Sequence, residues 1–150
     1  RFTIAIMLIV MGIALYLVDK KAKSKISYEK MTLKQSVLIG ISQALAAAFP
    51  GVSRSGITMT TARGLGLDRE SAARYSFLLA TPITFAAVIF DFKHFVFSDI
   101  SLWVGILASF IVGILIIRFL LDYLKKGSFK VFAIYRVVLG VIVLILTAIR

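Results

Sequence analysis

The stretch Phe49-Pro50-Gly51-Val52-Ser53-Arg54-Ser55-Gly56-Ile57-Thr58 concentrates hydroxyls, glycines and an arginine within ten residues. Pro50 and Gly51 read as a structural turn that ends one helical arm, and Gly56 as the opening of a second. The backbone amides from Ser55 to Thr58 are then the donors of a helix N-terminus, which carries partial positive charge. Ser53 and Ser55 add hydroxyls, and Thr58 and Thr61 project from the first turn. Arg54 adds a planar fork that suits phosphate oxygens. Together these are the parts of a phosphate cradle. Ser, Thr and Gly also serve ordinary helix packing in membranes. An arginine at membrane depth costs roughly 2.5 kcal/mol or more and marks function, unless it caps carbonyls or pairs with a partner segment.

What is missing narrows the chemistry. Asp19, Glu29, Asp68, Glu70, Asp91, Asp99 and Asp122 all fall in loops or at the ends of apolar runs. No carboxylate accompanies Arg54, so no metal ligands are expected in this chain. His94, the only histidine, sits beside Lys93 and reads as a solvated loop residue. Ser53 and Ser55 have no general base in sight, and there is no cysteine nucleophile. The residues supply the anion-holding half of a phosphoryl-transfer site.

The elements that must position this stretch are membrane elements. Of 150 residues, 60% are hydrophobic and 17% charged, with a mean hydropathy of +0.98. That balance excludes a water-soluble globule and a disordered chain. A net charge of +11 would suggest nucleic acid in a soluble protein, but cytoplasmic loops of membrane proteins collect Lys and Arg. Runs 2–18, 68–90, 100–121 and 131–149 read as spans of a single membrane domain, 1–150. Asp68 is placed to N-cap its span with Glu70 in the first turn, and Pro82 to kink it beside Thr81. Arg118 snorkels from the end of its span, and Arg136 falls in the second turn of the last.

Segment 33–67 is apolar but broken at the Ser-Arg-Ser stretch. The basic loop 19–32, with Lys34 just beyond it, and the loop carrying Lys125, Lys126 and Lys130 should both be cytoplasmic. Both lie on one side only if 33–67 enters and leaves on that side. Its first arm, 33–48, is about 24 Å long, less than a full span. The expectation is a re-entrant helix–loop–helix with its tip near membrane depth, lining a site. Loop 91–99 and the C-terminus then fall outside, and Arg63 and Arg74 should be solvated near the cytoplasmic interface.

At these residues the chain resembles the undecaprenyl-diphosphate phosphatase family, the bacitracin-resistance proteins of bacterial inner membranes. The matching stretches are Ile41-Ser42-Gln43-Ala44-Leu45, Pro50 to Thr58, Leu67 to Pro82, and Phe132-Ala133-Ile134-Tyr135-Arg136. Similarity covers essentially the whole chain but only the C-terminal part of the family's length. It implies an all-α integral membrane fold, with four transmembrane helices and one re-entrant helix–loop–helix forming one half of an inverted-repeat architecture. It also implies removal of the terminal phosphate of a polyprenyl diphosphate, which recycles the lipid carrier of cell-wall synthesis. Arg54 and Ser53 carry over as catalytic, and Arg54, Ser53, Ser55, Gly56 and Thr58 as diphosphate-binding, with Pro50 and Gly51 shaping the turn. The cofactor implied is a divalent cation, Mg or Ca, with ligands in the family's first repeat, whose Glu-rich segment and Ser-Ser-x-Gly-His stretch do not occur here. Without that repeat the chain is expected to be inactive, and Arg1 in place of Met reads as a cut edge.

The expected partners are the polyprenyl diphosphate lipid, the bilayer and the N-terminal repeat, with an oligomer left open and no nucleic acid. A type 2 phosphatidic acid phosphatase pattern fails, because Thr60 and Gly64 stand where its His and Asp would be. The alternative is a phosphate-lipid transporter or flippase half with a midplane anion site. A weaker one is an assembly subunit whose Arg54 pairs with a partner's carboxylate.

Overall fold

A computed structural model of the chain describes residues 2–23, 25–94, 97 and 99–149, the His94 side chain excepted. The expectations for Arg1 and for the His94 side chain therefore lie outside the described residues. Among the described residues six α-helices follow in order: α1 (Phe2–Lys21), α2 (Leu33–Ala48), α3 (Arg54–Gly64), α4 (Arg69–Asp91), α5 (Ile100–Lys126) and α6 (Lys130–Ala148), with short 3-10 turns at Tyr28–Lys30 and Phe92–His94. Helices α1, α4, α5 and α6 are long and apolar enough to cross a membrane. Asp68 caps α4 as its sequence suggests, accepting from the Ser71 amide at 2.7 Å. Pro82 lies inside α4, which continues to Asp91.

Helices α1 and α6 run antiparallel and pack closely because small residues face each other. A Cβ on Gly12 would lie 3.1 Å from the Ala133 carbonyl oxygen, and one on Gly140 would lie 3.0 Å from that of Ala5. Such close backbone approach is how membrane helices gain packing without a hydrophobic drive between them. By contrast, the apolar window of α5 has none of its residues buried, and Phe110, Leu115 and Phe119 face outward.

Helices α2 and α3 form a hairpin, about 24 Å and 16 Å long at 1.5 Å per residue. Thr32 and Gln35 close a reciprocal capping box at the start of α2. Both open ends of the hairpin are tied at the lysine-rich end of α1. Gln35 Nε2 donates to the Leu65 carbonyl at 2.9 Å, and Ile26 pairs with Leu67 in a single parallel bridge. The tip lies far along α1, against Ile4.

One buried charge cluster organises the lysine-rich end. Asp19, in the last turn of α1, accepts at 2.8 Å from Nε of both Arg63 (α3) and Arg69 (α4), and also accepts from the Phe129 amide ahead of α6. Arg69 also donates to the Gly127 carbonyl at 3.0 Å, so the two lysine-rich loops meet at one end of the bundle. Arg63 corrects the expectation of a solvated residue. It is 4% exposed and also donates to the carbonyls of Leu67 and Ala22. Burying a guanidinium is costly unless its donors are filled, and here the end of α1 supplies the Asp19 carboxylate and the turn after α3 the Leu67 carbonyl, with Ala22 adding a third acceptor. Arg74 is exposed, as expected, and stacks 5.3 Å over the Tyr28 ring.

Candidate anion-binding site at the hairpin tip

The tip turns on Gly51, whose φ of +95° belongs to the left-handed region. A Cβ there would also lie 2.6 Å from Ile4 Cα, so glycine is demanded both by the turn and by the seat on α1. After Pro50 and Gly51, the Val52 amide donates back to Phe49 at 3.2 Å and closes the turn.

Ser53 then caps α3. Its Oγ accepts from the Gly56 amide at 3.3 Å and lies 3.1 Å from Ser55 Oγ. The Ile57 amide donates to the Ser53 carbonyl. Of the donors expected between Ser55 and Thr58, those of Gly56 and Ile57 are thus already taken. The first-turn amides without an intrahelical acceptor are those of Arg54 and Ser55.

Arg136 is the residue that sequence reasoning passed over. From the second turn of α6 its guanidinium reaches α3, where a Cβ on Gly56 would overlap Arg136 Nη1 and lie 2.7 Å from Cζ. Gly56 does not open α3, which begins two residues earlier at Arg54; its lack of a side chain makes room for this cation. Arg136 is 8% exposed and makes no hydrogen bond or ion pair among the described residues. Its Cβ lies beside Gly12, halfway along α1, which puts the contact near the middle of the long helices. The available signal was an arginine inside an apolar run, with no carboxylate on its own helix to meet it.

A cavity of about 210 Å³ opens beside this contact. Ser53, Ser55, Gly56 and Arg136 line its polar part, and Met59, Phe77, Leu120, Phe129 and Phe132 are among its apolar walls. Arg54 is adjacent in the chain but not on this lining. It is half-buried, and its Nη1 is enclosed without a hydrogen-bond partner, as is Oε1 of Gln43 on α2. Thr58 is turned into packing. It is 1% exposed, with Oγ1 2.6 Å from Ser76 Oγ on α4 and 3.0 Å from the Arg54 carbonyl oxygen. The tip therefore gathers Ser53, Ser55 and Gly56, adds Arg136, and leaves Thr58 as a brace between α3 and α4.

The donor set suits an anion. Hydroxyls and a guanidinium, with no carboxylate on the lining, do not fit a divalent cation. Among the described residues no group of three or more His, Cys, Asp and Glu is placed to hold one.

Residues 1–142 match the family described as bacitracin resistance protein BacA. The chain belongs to the BacA family. Relatives carry the name undecaprenyl-diphosphatase. The protein of Pelotomaculum thermopropionicum is 48% identical over 149 residues, covering 98% of this chain and 56% of that protein. That of Caldicellulosiruptor bescii is 47% identical, covering 94% and 54%, and that of Myxococcus xanthus 44% identical, covering 93% and 48%. The chain thus spans about half the length of the curated relatives it matches.

Proposed function

We propose that this chain is the phosphate-holding part of a membrane phosphatase that hydrolyses the terminal phosphate of a polyprenyl diphosphate, recycling the lipid carrier of cell-wall synthesis. The observation that carries this conclusion is the Arg136 guanidinium over Gly56, in one cavity with Ser53 and Ser55, whose remaining walls are apolar but for Tyr135. A prenyl diphosphate is a strongly charged head on an apolar tail, and the cavity offers donors for one and hydrocarbon for the other. Arg136 and Arg54 bring two cations to the α3 N-terminus, where phosphate oxygens meet both guanidinium and amide donors. Their fixed positive charge would stabilise the charge that builds on the phosphoryl group as water attacks.

The cavity holds no base to activate water and no carboxylate for a cation. In this proposal those groups, including the ligands of a divalent cation (Mg or Ca), belong to an N-terminal repeat related to this one by inversion. The α2–α3 hairpin is re-entrant, and the lysine-rich end faces the cytoplasm of a bacterial inner membrane, with the C-terminus outside. Support for that orientation comes from the two basic loops meeting at one end and from the hairpin opening toward the same end.

The decisive experiment compares phosphate release from a polyprenyl diphosphate by the intact protein and by its Arg136→Ala variant in proteoliposomes. Release that falls at least tenfold in the variant supports the assignment; unchanged turnover overturns it. Lipid exchange between leaflets without phosphate release would identify a transporter instead. The 150-residue chain alone is expected to release no phosphate, and metal-dependent release from it would overturn the division of labour between repeats.

A further inference from the structure

The α1–α6 pair carries a second hollow that the phosphate cavity does not use. A groove of about 270 Å³ runs between Ile13 and Tyr16 of α1 and Ile134, Val137 and Val138 of α6. Lys130 is the one charged residue on its lining. The phosphate cavity draws on a different face of α6, through Phe132, Tyr135 and Arg136, and the two share no lining residue.

The groove itself is apolar, and cations stand beyond its end at the lysine-rich end of α1. Lys20 follows Tyr16 by one turn on the same face of α1. Asp19 meets the Phe129 amide at 3.3 Å, so the end of α1 that carries Lys20 is adjacent to the start of α6 that carries Lys130. Both lysines are exposed, and neither side chain has a hydrogen bond or ion pair among the described residues. The carboxylate next to Lys20, that of Asp19, is buried and held by Arg63 and Arg69. An apolar groove bordered by Tyr16, with a lysine at the adjoining end of each helix, has the form of a lipid site: hydrocarbon below, an amphipathic ring at the interface, and ammonium groups beyond it.

We propose that this groove holds one acyl chain of an anionic phospholipid, with the lipid phosphate bridging Lys130 and Lys20. A zwitterionic headgroup carries its own cation and answers the lysines less well, which makes the site selective for net negative charge. The proposal stands apart from the phosphatase assignment, since no residue of the phosphate cavity takes part.

The test is native mass spectrometry of the intact protein equilibrated with equal amounts of dioleoyl phosphatidylglycerol and dioleoyl phosphatidylcholine. Wild type is expected to retain phosphatidylglycerol preferentially. Lys130→Gln and Lys20→Gln should each lower that preference about fivefold, while Lys130→Arg keeps it. Ile134→Trp, which fills the groove without touching the charges, should reduce retained phosphatidylglycerol. No preference in wild type, or a preference that survives the double glutamine variant, overturns the proposal. So does displacement of phosphatidylglycerol by polyprenyl phosphate at equal concentration, because the groove would then belong to the product. Retained helicity by circular dichroism, together with the arginine rescue, separates loss of the site from loss of the fold.

Discussion

The Arg136 guanidinium of α6 occupies the space where any residue but glycine at position 56 of α3 would place its Cβ. The contact joins the last helix of the chain to the hairpin tip. It also brings an arginine without a partner among the described residues to the serine hydroxyls of the tip. The candidate anion site is thus lined by two segments far apart in sequence, and each depends on the shape of the other.

Gly56→Ala in the intact protein should lower polyprenyl-diphosphate turnover by about tenfold or more, because a methyl group displaces the cation rather than removing it. Charged hydrogen bonds contribute about 1.5–3 kcal/mol each. Residues that act through one contact are not additive. Gly56→Ala combined with Arg136→Ala should therefore be little worse than the poorer single variant. Steady-state kinetics of the three variants would check this, and full additivity would separate the two residues.

Arg54→Ala should also abolish most turnover, and Arg54→Lys should restore little of it. A lysine keeps the charge but loses the planar fork that meets two phosphate oxygens. If turnover by the alanine variant matched wild type, the enclosed Nη1 of Arg54 would have a structural use instead.

Asp19→Ala should cost about 3–5 kcal/mol of stability, since it leaves the buried Arg63 without its carboxylate. Thermal unfolding in detergent would report this as a lowered Tm. Lys125→Ala, which breaks an exposed pair with Asp122, should leave Tm nearly unchanged. Equal effects from the two would deny the Asp19 cluster its organising role.

Thr58→Val should destabilise the chain by about 1–3 kcal/mol through the stranded Ser76 hydroxyl. Substrate KM in the surviving enzyme should stay close to wild type, because the Thr58 hydroxyl faces α4. A KM raised at unchanged Tm would return Thr58 to the diphosphate pocket.

Much of this organisation was legible along the chain. The bounds of α2 at Leu33 and Ala48, the Asp68 cap and the four long apolar helices follow from short-range signals: hydropathy summed over a window, a carboxylate before a helix, a Pro-Gly stop. The hydroxyls of Ser53 and Ser55 are legible as neighbours for the same reason, since they lie two residues apart and meet at 3.1 Å.

What the sequence could not decide were the roles set by distant partners. Asp19 looked like the first residue of a basic loop, yet it bonds across 44 residues to Arg63 and across 110 to Phe129. Arg63 looked solvated and Arg136 looked like one more residue of a span. Composition by itself determined that the chain belongs in a membrane, and local spacing that hydroxyls, glycines and an arginine meet in one stretch, because both signals accumulate over neighbouring residues. Only the tertiary structure decided which arginine reaches that stretch and which is consumed in a buried ion pair. Those outcomes depend on the faces that antiparallel helices present to one another, and no window along the chain contains both faces.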